Sequence, residues 1–415
     1  MHIPLTTIQH KTTRIALIKR AVPDLVMTSL SLPVGSYGLN NEYIPVLASM
    51  ILTFGTEKYS KEALHTLLEE KNISISIRTT FYATHTSVGC FKEDCKEAYA
   101  LAVSMLMDNQ CKKDDFDSAK HIVLEDIKTK MTDTAAVAKN ALYHTLFKED
   151  HPLYQRTFDE LRELCEKVTL AQVKKFLSSL CCTVSVATVA GDIEEDNALV
   201  QLKKTLSHFT AKPAPDAPLF LLEAAHSHTD KKVAVADKLS NAVILAHVLE
   251  LSPTDKEYLA FLLLVDMLGG GFSSHLMQTI RDRDGLCYGV YCAATSSHKV
   301  RGVFVISGDF TLASYPNALP AIKKELNIFL DKKCTQNDLD ISKEGYLTNT
   351  LLSHQSTQSV RSQVHSALEN NEPVQFIEDL ETRLKAITLL DIENAKRYIK
   401  PECLTEFSAG TFEAS

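Results

Sequence analysis

The sequence lacks the features that would mark several functional classes. None of its ten cysteines forms a CxxC pair, and the spacings include Cys90-x4-Cys95, Cys181-Cys182 and Cys287-x4-Cys292. Several lie in apolar, strand-like runs, so they read as buried reduced thiols rather than a disulfide framework. No basic stripe is present and the net charge is −8, which argues against a nucleic-acid partner. No apolar run reaches the length of a membrane span. The N-terminus, MHIPLTTIQHKTTRIALIKR, has neither the continuous apolar core of a secretory signal nor the Arg-rich character of a transit peptide. The expected compartment is the cytoplasm. The 415 residues, 45% apolar and 23% charged, have an ordinary globular composition and suffice for two or three domains.

Those domains are expected to repeat. Residues 14–20 and 25–34 read as two strands of one antiparallel pair. Helices follow over 43–54 and 61–70, then a strand pair over 73–77 and 84–90. Helices at 95–107, 115–130 and 136–146, a strand at 184–189 and a helix at 197–206 complete the first half. Three prolines in Ala211 to Pro218 predict an extended linker. Beyond it the order of elements recurs: strands at 232–235 and 242–249, helices at 255–268 and from Ser273, strands at 286–293 and 302–308, helices at 316–330 and 336–352, and a last strand at 404–409. A repeat this long indicates tandem duplicated domains. The expected fold is α+β: two tandem homologous α/β-sandwich domains, residues 1–210 and 230–415, joined by a linker at 211–229, with antiparallel-rich sheets covered by helices.

One stretch carries recognisable chemistry. In LGGGFSSHLMQTIRDRDGLCYGVYCA, residues 268–293, Gly269, Gly270 and Gly271 end one helix in a tight turn. Ser273 or Ser274 can cap the next, whose apolar face is Leu276, Met277 and Ile280. Asp284-Gly285 stops it. A strand follows with Leu286, Tyr288, Val290 and Cys292 on one face. Arg281, in the last helical turn, and Tyr288, just past the bend, can both donate hydrogen bonds to a carbonyl oxygen. Spacing alone favours a plain helix–turn–strand element with a surface Arg and a half-buried Tyr, and it is the whole-chain resemblance below that outweighs this reading. The glycines are neither a P-loop nor GxGxxG, because no Gly-Lys-Ser/Thr follows at the required spacing.

This stretch resembles the C-terminal domain of the M16 metallopeptidases, the insulinase, pitrilysin and mitochondrial-processing-peptidase family. Its pattern is Gly-Gly, Ser-Ser, a Leu-rich helix, Ile-Arg and Gly-Leu-x-Tyr. The resemblance places Arg281 and Tyr288 at positions that contact substrate near the scissile bond. The tandem repeat extends it over almost the whole chain. Active members carry His-x-x-Glu-His a few residues before Gly-Thr: two His at i and i+4 share a helix face and bind zinc, and the Glu activates the bound water. Here Gly55-Thr56 anchors the comparison, and the ligand positions fall on Val46 and Met50, the base on Ser49. Glu125 stands at the third-ligand position, with Ser118 in place of an acidic residue seven positions earlier. One carboxylate cannot hold a catalytic zinc that needs about three protein ligands. No HxxEH, HExxH or HxxxH occurs among the fifteen histidines, and His226-Ser-His228 reads as a solvated loop.

The expectation is therefore a chain with no metal or cofactor of its own, and no peptidase activity alone. The resemblance implies a non-catalytic, substrate-contacting subunit of a two-chain zinc endopeptidase that degrades or processes peptides. Zinc would reside in an HxxEH-bearing paralogue, the two chains forming a clam-shell heterodimer around a chamber. Self-association as a homodimer stays open. The alternatives are a structural scaffold without proteolytic role and a chamber that binds peptides without cutting them.

Overall fold

The computed structural model describes residues 4–181, 183–210, 229–374 and 378–412. It contains two compact units, each built on one mixed sheet. The prolines of the expected linker, and His226 and His228, lie outside the described residues.

The first unit comprises residues 1–125, 162–217 and 350–380. Its strands are β1 (Leu5–His10), β2 (Thr13–Lys19), β3 (Leu25–Leu32), β4 (Ser74–Thr79), β5 (Thr84–Phe91) and β6 (Val186–Gly191). They lie in the order β1-β2-β6-β3-β5-β4. The expected pairing of 14–20 with 25–34 is not what forms. β6 lies between them, parallel to β2 and antiparallel to β3. Every residue of β6, Val-Ala-Thr-Val-Ala-Gly, is buried, and such a strand belongs at a sheet's centre. Residues 20–24 are long enough to cross the two strand spacings of about 9.5 Å that separate β2 from β3.

The second unit comprises residues 126–161, 218–349 and 381–415. Its strands are β7 (Lys231–Ala234), β8 (Ser240–Val248), β9 (Cys287–Thr295), β10 (Val303–Thr311) and β11 (Thr405–Gly410). Their order, β7-β11-β8-β10-β9, reproduces β2-β6-β3-β5-β4, with β11 parallel to β7 and antiparallel to β8. The duplication extends to backbone detail. Gly191 and Gly410 end the equivalent strands β6 and β11 at φ +140 and +151. A Cβ at either would come within 2.0 Å of a neighbour, the Leu25 carbonyl oxygen or Asn241 Oδ1, so only glycine fits.

Each sheet is covered on one face by a helix from the other half of the sequence. The Thr134–Leu146 helix packs on β8, β11 and β7. Its Val137, Ala138, Leu142 and Leu146 meet Ala242, Ala246, Phe407 and Ala409. The Thr357–Glu369 helix packs on β6, β3 and β2, setting Val360 and Val364 on Ala16, Ile18 and Ala190. Alanines on the strands let each helix come close, and each buried aliphatic side chain contributes about 1.5–3 kcal/mol. The two units are thus not the continuous halves 1–210 and 230–415, because residues 126–161 and 350–380 each complete the other unit. A sheet needs its apolar face covered, whichever part of the chain supplies the cover.

Two predictions follow from this packing. Leu142→Ala removes a fully buried side chain and should cost about 2–5 kcal/mol. By native-state hydrogen exchange the loss should appear in β8 and β11, and β3 and β6 should keep their protection despite sharing a half of the sequence with Leu142. The second concerns pH. Burial pushes the His151 imidazole down from 6.5 to about 4 against a weaker upward pull from Asp150. The ring stacks on Phe147 at 4.4 Å, and its Nδ1 accepts from the Leu153 N–H at 3.1 Å, which requires the neutral form. The unfolded chain takes up this proton near pH 6.5 and the folded one only near 4. The contribution is therefore complete above about 6.5 and lost as pH falls to about 4. The midpoint of urea unfolding, followed between pH 7 and 4, should fall less in His151→Gln than in the parent chain.

Candidate functional site

The glycine turn and the strand after it form one structural element of the second unit. The Tyr258–Gly269 helix ends with Gly270 as its cap. None of the three glycines has positive φ, so their use here is closeness rather than left-handed backbone. A Cβ on Gly269 would stand 2.5 Å from Cys292 Sγ and 2.7 Å from the Cys292 nitrogen, whereas one on Gly271 would meet nothing. The helix end is thereby pressed onto β9. The next helix is π-type over Met277–Arg283 and closes at Gly285, φ +63. The Asp284 N–H donates to the Thr279 carbonyl and the Leu286 N–H to that of Ile280, both at 3.0 Å. Met277 and Ile280 are buried beneath it.

Arg281 and Tyr288 come together as the spacing predicts. The Arg281 guanidinium carbon lies 5.4 Å from the Tyr288 ring centre and 5.3 Å from that of Phe272, a cation between two aromatic faces. Tyr288 is 87% exposed and Phe272 73%. Tyr288 is thus presented to solvent rather than half-buried, although Val290 and Cys292 further along β9 are buried. Among the described residues β9 is an edge strand, pairing only with β10. The bend is anchored by Arg283, which donates to both carboxylate oxygens of Asp284 at 2.7 and 2.8 Å and to Glu325 at 2.9 Å. Glu325, 2% exposed, also holds His275 Nε2 at 3.1 Å. A guanidinium and a phenol are both donors suited to a peptide carbonyl or an oxyanion, and here the Arg281 side chain is 31% exposed beside the solvent-facing Tyr288.

The positions aligned with the zinc motif do not fit a metal. They lie on the Tyr43–Ile51 helix of the first unit. Val46 is 41% exposed, and Met50 offers only a thioether. The Ser49 hydroxyl is 2.9 Å from that of Thr79, which bonds Thr84 at 2.9 Å, which in turn donates to the Val34 carbonyl. This chain ties a helix to the strand pair β4–β5 and leaves no base for a water. Glu125 is an exposed residue of the Lys113–Lys130 helix. Sequence reasoning passed over a different set, His85, His365 and Glu369, whose nearest signal is the i, i+4 pair His365 and Glu369 on the Thr357–Glu369 helix.

Residues 184–346 match the peptidase M16 inactive domain family. The chain carries a peptidase M16 inactive domain. Among relatives of this M16 homologue, the non-peptidase homolog YmxG of Helicobacter pylori is 24% identical over 84% of this chain and 79% of its own. An uncharacterized zinc protease of Streptomyces coelicolor is 22% identical over 73% of this chain and 66% of its own. A peptidase M16 inactive domain structure from Pseudomonas fluorescens superposes with a TM-score of 0.87 at 19% identity, covering 99% of this chain and 98% of that one. At that identity the likeness shows the fold. The α+β class with helix-covered mixed sheets is that of the M16 inactive domain proteins. Among the described residues no helix is long and apolar enough to cross a membrane.

Two glycine substitutions test the bend. Gly269→Ala should destabilise the M16 homologue by about 1–3 kcal/mol through overpacking against Cys292. Gly271→Ala should stay within about 0.5 kcal/mol of the parent. Urea denaturation of both variants measures the difference, and equal midpoints would remove the close-approach account.

Proposed function

We propose that this chain is the non-catalytic, substrate-contacting subunit of a two-chain M16 zinc endopeptidase acting on peptides. One observation carries the reading: a half-buried Arg281 packed against the exposed ring of Tyr288 on a chain whose zinc-motif positions are Val46, Ser49 and Met50. Zinc and the general base belong to an HxxEH-bearing paralogue. Arg281 and Tyr288 donate to carbonyl groups of the bound peptide or to the oxyanion formed in that partner's site. The free thiols of the nine described cysteines favour a reducing compartment, the cytoplasm.

A second reading, a scaffold or peptide-binding protein without proteolytic role, is supported by the name of the Helicobacter pylori relative, a non-peptidase homolog. A peptidase assay with metal analysis separates the two, on this chain alone and co-expressed with an HxxEH-bearing paralogue from the same genome. The first reading expects zinc and cleavage only in the co-expressed pair. In that pair Arg281→Ala and Tyr288→Phe should each lower kcat/KM by the equivalent of about 2–4 kcal/mol, roughly 30- to 1,000-fold. Unchanged kcat/KM in both variants would sink the site assignment. Absence of a complex, with peptide bound but uncut, would favour the second reading.

A further inference from the structure

The Thr357–Glu369 helix buries Thr357, Val360, Arg361, Val364, His365 and Ala367 against the first sheet. Arg361 and His365 are polar residues on a core-facing stripe, and Glu369 continues their i, i+4 row. Arg361 donates through its Nη1 to the Thr28 carbonyl at 3.0 Å, whereas its buried Nε has no hydrogen-bond partner among the described residues. His365 and Glu369 instead converge with His85 of β5 on the hydroxyl of Ser31 in β3. Ser31 Oγ lies 3.0 Å from His85 Nδ1 and 2.7 Å from His365 Nε2, and it also bonds Glu369 Oε1. Glu369 Oε1 is 3.4 Å from His85 Nδ1 and 3.8 Å from His365 Nε2. The two imidazole nitrogens and the carboxylate oxygen all lie within 4.8 Å of one another.

We propose that His85, His365 and Glu369, with the Ser31 hydroxyl beside them, form a structural site for one divalent transition-metal ion of the zinc type. Zinc takes four N and O donors at about 2.0–2.2 Å, which sets neighbouring donors about 3.3 Å apart. Glu369 Oε1 stands 3.4 and 3.8 Å from the two imidazole nitrogens, and the Ser31 hydroxyl, closer to all three, moves outward as the ion enters. Two imidazoles and one carboxylate suit zinc and cobalt rather than calcium or magnesium. The distal ring nitrogens have hydroxyl neighbours: His365 Nδ1 lies 2.9 Å from Thr188 Oγ1 and His85 Nε2 3.5 Å from Thr80 Oγ1. Such outer partners orient ligand histidines. On binding, His365 carries its proton on Nδ1 and donates it to Thr188, which frees Nε2 for the metal, and His85 correspondingly keeps its proton on Nε2. Entry is open, because the His85 and Glu369 side chains are 25% and 23% exposed whereas that of His365 is 7% exposed. Arg361, one turn earlier on the helix, places a positive charge nearby and weakens the site, and the Glu369 carboxylate opposes it. The metal pins the helix of the 350–380 segment to β3 and β5.

This site is independent of the Arg281–Tyr288 reading and departs from the expectation of a metal-free chain. The test uses the full chain, stripped with chelator and dialysed against zinc or cobalt chloride. One equivalent should bind. Cobalt should give the intense visible absorption of a four-coordinate ion, and zinc should raise Tm. Glu369→Gln keeps the side chain's shape and should weaken binding about 10–100-fold, as should His365→Ala. A double variant, His226→Ala with His228→Ala, should bind as the parent does. No stoichiometric binding by the parent, binding unchanged in Glu369→Gln, or binding abolished in the His226, His228 variant would each overturn the proposal.

Discussion

The cover of each sheet by a helix from the other half of the sequence is the constraint on which the rest of the structure depends. It works because the strands offer alanine where the helix crosses: Ala16 and Ala190 in the first sheet, Ala242, Ala246 and Ala409 in the second. A larger residue at these positions would hold the helix off and leave a void that close packing does not tolerate. The same cover sets where chemistry can sit. The first sheet's helix brings His365 and Glu369 to Ser31 and His85, and the second sheet keeps its edge strand β9 for Tyr288.

Chemistry is distributed unevenly between two units of the same fold. In the first, the helix that could have carried zinc ligands uses Ser49 as a hydroxyl bridge to Thr79, a structural task. In the second, the equivalent helix ends in glycines that press it onto β9, and the bend after it holds Arg281 between Phe272 and Tyr288. Two large exposed aromatic rings around one guanidinium contribute little to folding, since most of their area stays in water. Their arrangement is better accounted for by something they contact than by the stability of the unit they belong to.

Much of this was legible in the sequence, and the exceptions share a physical cause. The duplication, the Arg281–Tyr288 approach and the missing zinc ligands depend on local spacing, which the chain displays directly. The pairing of residues 14–20 with 25–34 was misread because the strand between them, β6, begins at Val186, and a distant partner leaves no local trace. The helix at Thr357–Glu369 went unnoticed because its buried stripe carries Thr, Arg and His where an amphipathic pattern would carry aliphatics. That departure from pattern marks the His85–His365–Glu369 cluster, in keeping with the tendency of sequence rules to fail where function or strain intervenes. The plain spacing-only reading had Tyr288 half-buried, but at the start of an edge strand it is 87% exposed.

The interleaving of the halves also bears on how the protein is made. A ribosome delivers residues from the N-terminus at about 5–20 per second. The strands of the first sheet are complete once β6 has emerged, yet the helix that shields Ala16, Ile18 and Ala190 follows only after β10, with β11 of the second sheet still to come. Throughout that interval the nascent chain displays an uncovered apolar sheet face, while the Thr134–Leu146 helix waits for strands not yet translated. Neither unit can finish before the other is almost synthesised, so the duplicated halves mature as one event, and the growing chain needs protection from self-association until then.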